Sequence, residues 1–211
     1  MTPMKIPMAS NSGLTRRRML AVLAGGMGFA ALAPRGALAL NTAEARALID
    51  RAVGEINSVI NSGMSETRMY AEFEKIFARY ADVAIIARSA LGPAARQASP
   101  AQMAAFTASF QTYISRKYGR RFREFIGGRI EVTGARQVKT FYEVTSIAYL
   151  RGEAPFEVRF HVSDRSGRDL FFNIIIEGVN MLATERTEIG ALLDARRGNL
   201  DRLTADLRSM G

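Results

Sequence analysis

The sequence of 211 residues contains no cysteine, no tryptophan and a single histidine. Without cysteine there is no disulfide framework, no thiolate nucleophile and no zinc–sulfur site. The lone histidine, His161, has no second imidazole to complete a metal site. It alternates with apolar neighbours and reads as a solvated residue on the polar face of a strand. Internal repeats, low-complexity tracts and linkers are also lacking. Hydrophobic residues make up 48% of the chain, the level of an ordinary globular protein.

No apolar run is long enough to span a bilayer. The longest, Met19 to Ala33, has about fifteen residues where a membrane helix needs ~20. It follows Arg16, Arg17 and Arg18 and precedes the small residues Ala37-Leu38-Ala39. That order describes an export signal over residues 1–39, cleaved after Ala39. Thr15-Arg16-Arg17 followed by Met19-Leu20 resembles the twin-arginine motif, with an ordinary Sec signal as the alternative.

The formal charge of +9 invites a nucleic-acid reading. The export segment, however, takes five of the 29 basic residues and none of the 20 acidic ones, leaving +4. So mild a charge on an exported chain argues against nucleic acid as a partner.

Residues 40–211 read as one domain, helices first, then strands, then helices. Asn41 with Glu44 forms a capping box ahead of Leu48, Ala52, Ile56 and Val59. Ser65 is placed to cap a second helix bearing Met69, Phe73, Ile76, Phe77 and Tyr80. "DVAIIARSALG" makes a short third helix closed by Gly92-Pro93. Ser99, Pro100 and Gln102 open a long helix with Met103, Phe106, Phe110, Tyr113 and Ile114 on one stripe, running past Tyr118.

After Gly127-Gly128 the hydrophobic period switches to two. "RIEVTGARQV", "TFYEVTSIAYL", "FEVRFHV" and "RDLFFNIIIEG" are four strands joined by turn-like segments. Short connections imply an antiparallel meander. The last strand is apolar on both sides: Leu170, Phe172, Ile174 and Ile176 alternate onto one face, while Phe171 and Ile175 share the other with Asn173 and Glu177. Helical spacing returns through Leu182, Ile189, Leu192 and Leu193, then Leu200, Leu203 and Leu207. The class is α+β, a four-stranded twisted antiparallel sheet packed against a layer of helices.

"SPAQMAAFTASFQTYISRKYG" and "IIIEGVNMLATERTEIGALLDARRGNLDRLTADL" together resemble the MlaC family of periplasmic phospholipid-binding proteins, also called the toluene-tolerance family. The most specific part is Glu177-Gly178-Val179 leading into a helix with Thr184 and Glu188. The resemblance spans essentially the whole of residues 40–211. It implies acyl chains held between sheet and helices. It also implies a carrier working in the periplasm between an outer-membrane lipoprotein complex and an inner-membrane ABC transporter complex with its substrate-binding subunit, so maintaining outer-membrane lipid asymmetry. Asp169, Asn173 and Asn180 depart from the family's usual residues, which bears on headgroup preference more than on fold.

Candidate lipid-binding residues are Phe106, Phe110, Tyr113, Val144, Tyr149, Val158, Phe160, Phe172, Ile174, Ile176 and Met181. The expected cavity lies between the sheet face of Val158, Phe160, Ile174 and Ile176 and the helix of Phe106, Phe110 and Tyr113. Arg116, Arg120 and Arg121 belong to a basic cluster suited to a phosphate headgroup or an acidic docking partner. Glu177, Glu185 and Glu188 read as pairing with Arg186 or nearby bases. No catalytic residue, metal ligand or cofactor is indicated.

Two readings of other classes compete with the carrier. One is a small α+β cone enzyme, an isomerase or hydrolase recruiting Asp169, Glu177, Tyr142, Tyr149 or His161. It requires a carboxylate beside a hydrogen-bond donor inside the pocket, and the expectation is that the interior lacks such a pair. The other is an adaptor or chaperone with a filled core.

Overall fold

Asn41 opens the first helix in the computed structural model of the protein, which describes residues 40–210, the side chains of 121–123 excepted. Its carboxamide oxygen accepts from the N–H groups of Ala43 and Glu44 at 2.9 and 3.0 Å, and Glu44 accepts in return from the Asn41 N–H. This reciprocal box satisfies donors that the first turn leaves without partners. Helix α1 spans Thr42–Ile60 and α2 Glu66–Tyr80. Ser65 stands extended at the start of α2, yet its hydroxyl accepts no bond from the first turn, so the expected cap is not formed. Asp82 caps α3, Val83–Leu91, by accepting from Ile85 N–H at 3.1 Å. Gly92 ends it with φ of +63°, where a residue without Cβ meets no steric penalty. Ser99 and Gln102 form the expected box at the head of α4, Pro100–Gly119.

A sheet follows, with β1 at Arg129–Val138, β2 at Phe141–Tyr149, β3 at Phe156–Ser163 and β4 at Leu170–Ile176. A fifth strand, β5, consists only of Val179–Asn180, so the sheet has five strands where the alternation indicates four. The reason is the turn. Glu177 and Gly178 both take positive φ, +48° and +81°, the backbone of a two-residue hairpin, and pairing resumes for two residues beyond it. All neighbours are antiparallel, in the order β1-β2-β3-β4-β5. Asn180 then caps α5, Met181–Asp194, and α6 runs Leu200–Leu207.

The pairing of β3 with β4 corrects the expected alternation. Val158 faces Ile176 and Phe160 faces Ile174, but Val162 faces Phe171 because a bulge leaves Phe172 as an extra residue. Phe171 therefore shares the helix-facing side with Ile174 and Ile176, and its ring meets Phe160 and Phe77. Phe172 is turned to Phe141 and His161 instead.

The helices are two deep. Helix α1 lies over β1 and β2, while α3 and α5 lie against β4. Helix α4 packs on α2, α3 and α6, its main neighbours being helices rather than strands. Its Phe106 and Phe110 are fully buried and stacked 5.7 Å apart. Burial of each such side chain contributes roughly 1.5–3 kcal/mol.

Candidate ligand cavity

A cavity of about 190 Å³ lies between β4 and the helices. A single water requires only roughly 10–15 Å³. Phe160 on β3 and Phe171, Phe172, Asn173, Ile174 and Ile176 on β4 make its sheet wall. Opposite stand Ala52 and Ile56 of α1, Phe73, Ile76 and Phe77 of α2, and Ile86 of α3. Met181, Leu182 and Glu185 of α5, with Ile114, Ser115 and Tyr118 of α4, complete it. Such a surface favours hydrocarbon over water.

Of the candidate residues read from the sequence, Phe160, Phe172, Ile174, Ile176 and Met181 border this cavity. Phe106, Phe110 and Tyr113 do not, because the first turns of α4 face other helices; only its last turns reach the opening. Val144 and Val158 are buried on the helix-facing side of the sheet, away from the cavity. Tyr149 lies on the opposite side, with the Arg129 guanidinium 4.0 Å above its ring. Arg116 donates to the Arg208 carbonyl at 2.6 Å and so ties α4 to the end of α6. Arg120 is exposed. The side chain of Arg121 and the cleavage residue Ala39 lie outside the described residues.

The polar end of the cavity corrects an expectation. Glu185 is 3% exposed and accepts at one oxygen, Oε1, from the Tyr118 hydroxyl and from the Lys117 ammonium at 2.7 Å. Lys117 also donates to Glu188, which accepts from the Tyr113 hydroxyl. A carboxylate beside two donors thus borders the cavity, where none was expected. Burial and the bonds to Glu185 and Glu188 raise the pKa values of Tyr118 and Tyr113. Burial works against the Lys117 charge, but its two carboxylate partners outweigh it and the pKa rises. Burial likewise works against ionised Glu188, while Lys117 and Tyr113 hold its pKa below the usual range. At neutral pH the ammonium and the Glu188 carboxylate are charged and both phenols keep their protons.

The far side of the sheet carries a second polar cluster. Glu143, 5% exposed, lies between Arg136 at 2.7 Å, Arg159 at 3.3 Å and His161 at 3.4 Å. His161 is not the solvated residue expected: its ring packs 4.5 Å from Phe141 and 5.8 Å from Phe172. The bulge causes this, since it directs Phe172 to that side. Of the other enzyme candidates, Asp169, Glu177 and Tyr142 do not border the cavity, and the Tyr142 hydroxyl donates to the Leu40 carbonyl at 2.7 Å. Among the described residues no group of three His, Cys, Asp or Glu side chains is arranged to hold a metal ion.

The family model described as "MlaC protein" matches residues 49–209. The chain belongs to the MlaC family. A solved structure of similar fold is the phospholipid-binding protein from Ralstonia solanacearum in complex with a phospholipid, at 1.53 Å resolution. The TM-score is 0.65 at 20% sequence identity, covering 77% of this chain and 98% of that one. Likeness at that identity establishes a shared α+β architecture.

Within this MlaC-family chain, sequence reasoning missed Glu185, Ser115 and Tyr118 as cavity residues. One signal was available. Glu185 follows Leu182 by three positions and precedes Ile189 by four, which places it on the apolar stripe of α5. A charge on such a stripe requires a partner, and Lys117 supplies it.

Proposed function

We propose that this protein binds phospholipid by its acyl chains in the cavity beneath β4. The observation that carries the reading is that aromatic and aliphatic side chains from the sheet and five helices meet there without filling the space between them. The phospholipid held by the Ralstonia solanacearum protein of similar fold supports it.

Energetics define what such a site must do. At ~0.8 kcal/mol per methylene, a diacyl lipid with roughly thirty methylenes costs on the order of 25 kcal/mol to place in water. A carrier must recover nearly all of this, or extraction from a bilayer stalls. It must not exceed it by much, or delivery stalls. A dry slot lined by Phe160, Phe171, Ile174 and Ile176 meets both requirements, because it replaces one hydrocarbon environment by another.

In the full reading, residues 1–39 direct export and the remainder shuttles lipid through the periplasm. The route runs between an outer-membrane lipoprotein complex and an inner-membrane ABC transporter complex, and maintains outer-membrane lipid asymmetry. Mass spectrometry of lipids extracted from purified residues 40–211 tests the binding step. Stoichiometric phospholipid supports it, and a protein that stays lipid-free after exposure to phospholipid vesicles overturns it.

A second reading has one observation in its favour. Glu185 with Tyr118 and Lys117 is the carboxylate-and-donor group that a cone enzyme needs at its cavity wall. His161 is on the other side of the sheet and takes no part. Time-dependent conversion of a bound lipid ester, lost in Glu185→Gln, favours the enzyme; unchanged lipid favours the carrier.

A further inference from the structure

Asn173 lines the cavity and is 6% exposed, and its carboxamide is engaged at both ends. Its Oδ1 accepts from the Leu182 N–H at 3.1 Å, one of the donors that the first turn of α5 leaves without a helical partner. Its Nδ2 lies 3.5 Å from Nδ1 of His161, the residue directly opposite in the pairing of β3 with β4. The other ring nitrogen, Nε2, is 3.4 Å from the Glu143 carboxylate. A backbone N–H is a donor in every state, so Leu182 fixes which way the amide points. Neutral His161 then has one arrangement that serves both neighbours: Nδ1 accepts from Asn173, and Nε2–H donates to Glu143.

A second proton destroys this agreement, because protonated imidazole donates from both nitrogens. Its Nδ1–H confronts the N–H groups of Asn173, donor against donor. Turning the amide over gives His161 the oxygen and sets the same conflict against the Leu182 N–H. The charges facing His161 are Glu143 of β2, itself bonded to Arg136 of β1, and Arg159 on β3; β2 and β4 otherwise bring Phe141, Phe172 and Asn173. Glu143 meets the ring at Nε2 and leaves the conflict at Nδ1 unresolved. Buried donors without acceptors are costly. Met181 and Leu182, the first residues of α5, line the cavity, so the contact at stake is one that holds its wall.

We infer that His161, Asn173 and the Leu182 N–H form a proton-operated latch on the lipid cavity: when His161 takes a second proton, the start of α5 loses this tie to β4 and lipid is held less tightly. The inference rests on the cavity taking lipid, and adds the condition under which it lets go.

Partition of pyrene-labelled phosphatidylcholine between vesicles and purified residues 40–211 is followed from about pH 7.5 to about pH 5.0, where histidine changes charge and a phosphodiester does not. Glu143 is held below its usual 4.5 and stays ionised across this range. Circular dichroism at each pH checks the fold. Affinity is expected to fall about tenfold, the worth of roughly one hydrogen bond. His161→Gln, whose amide offers an acceptor and a donor at every pH, should bind with the same affinity throughout. Asn173→Asp should also flatten the profile, because a carboxylate accepts from Leu182 and from protonated His161 together. Constant affinity in the unaltered protein overturns the inference, as does an equal fall in either variant, and both results leave the lipid-carrier reading standing. No transfer at any pH overturns both.

Discussion

Asn57 of α1 holds both backbone polar groups of Ile130 on β1: its amide donates to the carbonyl and its oxygen accepts from the N–H, each at 2.9 Å. Strand β1 is an edge of the sheet, and an edge strand presents unpaired groups to any passing strand. The side chain of Asn57 acts there as a one-residue substitute for a neighbouring strand, while Arg46 bonds the Val132 carbonyl at 3.1 Å. Asn57→Ala is expected to lower unfolding stability by about 1–2 kcal/mol, because two half-buried backbone groups lose their partners. Urea denaturation measures the loss. A change within error shows that water satisfies Ile130 equally well.

Ile174 is half-buried on the cavity wall, opposite Phe160 in the pairing of β3 and β4. Ile174→Glu introduces a charge among acyl chains, with no Lys or Arg among the described residues that line the cavity, at a cost of several kcal/mol by order of magnitude. The variant is expected to fold and to lose co-purifying lipid. Replacing Arg120 by glutamine is expected to leave bound lipid intact and to slow its transfer between vesicles, since an exposed charge acts chiefly on encounter. The opposite pattern, lipid lost from the arginine variant and kept by the glutamate variant, makes the headgroup the principal contact.

Lys117 neutralises two carboxylates at the cavity end, one of them buried. Lys117→Met leaves Glu185 without a cation, and a loss of about 3 kcal/mol in unfolding free energy is expected. Converting Glu185 to leucine as well should recover much of it, because the stranded charge is then gone. A double-mutant cycle by urea unfolding reads the coupling. Additive losses at the two positions mean that Glu188 alone balances the ammonium.

The cluster around Glu143 makes stability depend on pH. Burial among Phe141, Phe172 and Asn173 lowers the pKa of His161 below its ordinary 6.5; Arg159 adds to this, and Glu143 only partly opposes it. Glu143 is also depressed: burial pushes it up from 4.5, but Arg136, Arg159 and His161 outweigh burial. A depressed folded-state pKa means that the unfolded chain binds the proton first. Stability is then present at higher pH and lost as pH falls. Unfolding midpoints should decline below about pH 6.5 through His161, then again below about 4.5 through Glu143. His161→Gln should remove the first decline. A midpoint rising between pH 6.5 and 5.5 contradicts this account.

Much of the architecture is written locally. The capping residues Asn41, Ser99 and Asn180, the period of 3.6 over 42–119 and of two over 129–176, and the turn at Glu177-Gly178 act over a few residues. They depend on hydrogen bonds and side-chain alternation within one element. The α+β order, the antiparallel meander and an apolar excess on β4 follow from them. Leu48, Phe73 and Phe160 are inside because their neighbours three, four or two positions away are apolar too.

Cavity geometry is a different kind of fact. One extra residue at Phe172 moves Phe171 to the helix side and carries Phe172 to His161, and no local propensity announces a bulge whose cause lies in pairing with β3. Stripe residues Phe106 and Phe110 are core rather than cavity because α4 packs chiefly on α2, α3 and α6, a matter of packing among helices. Glu185 meets Lys117 across 68 residues of chain. The sequence by itself determined which side chains avoid water, since transfer free energy belongs to the residue. Which of those surfaces stays uncovered, and which buried charge faces it, was decided only when separate elements met in space.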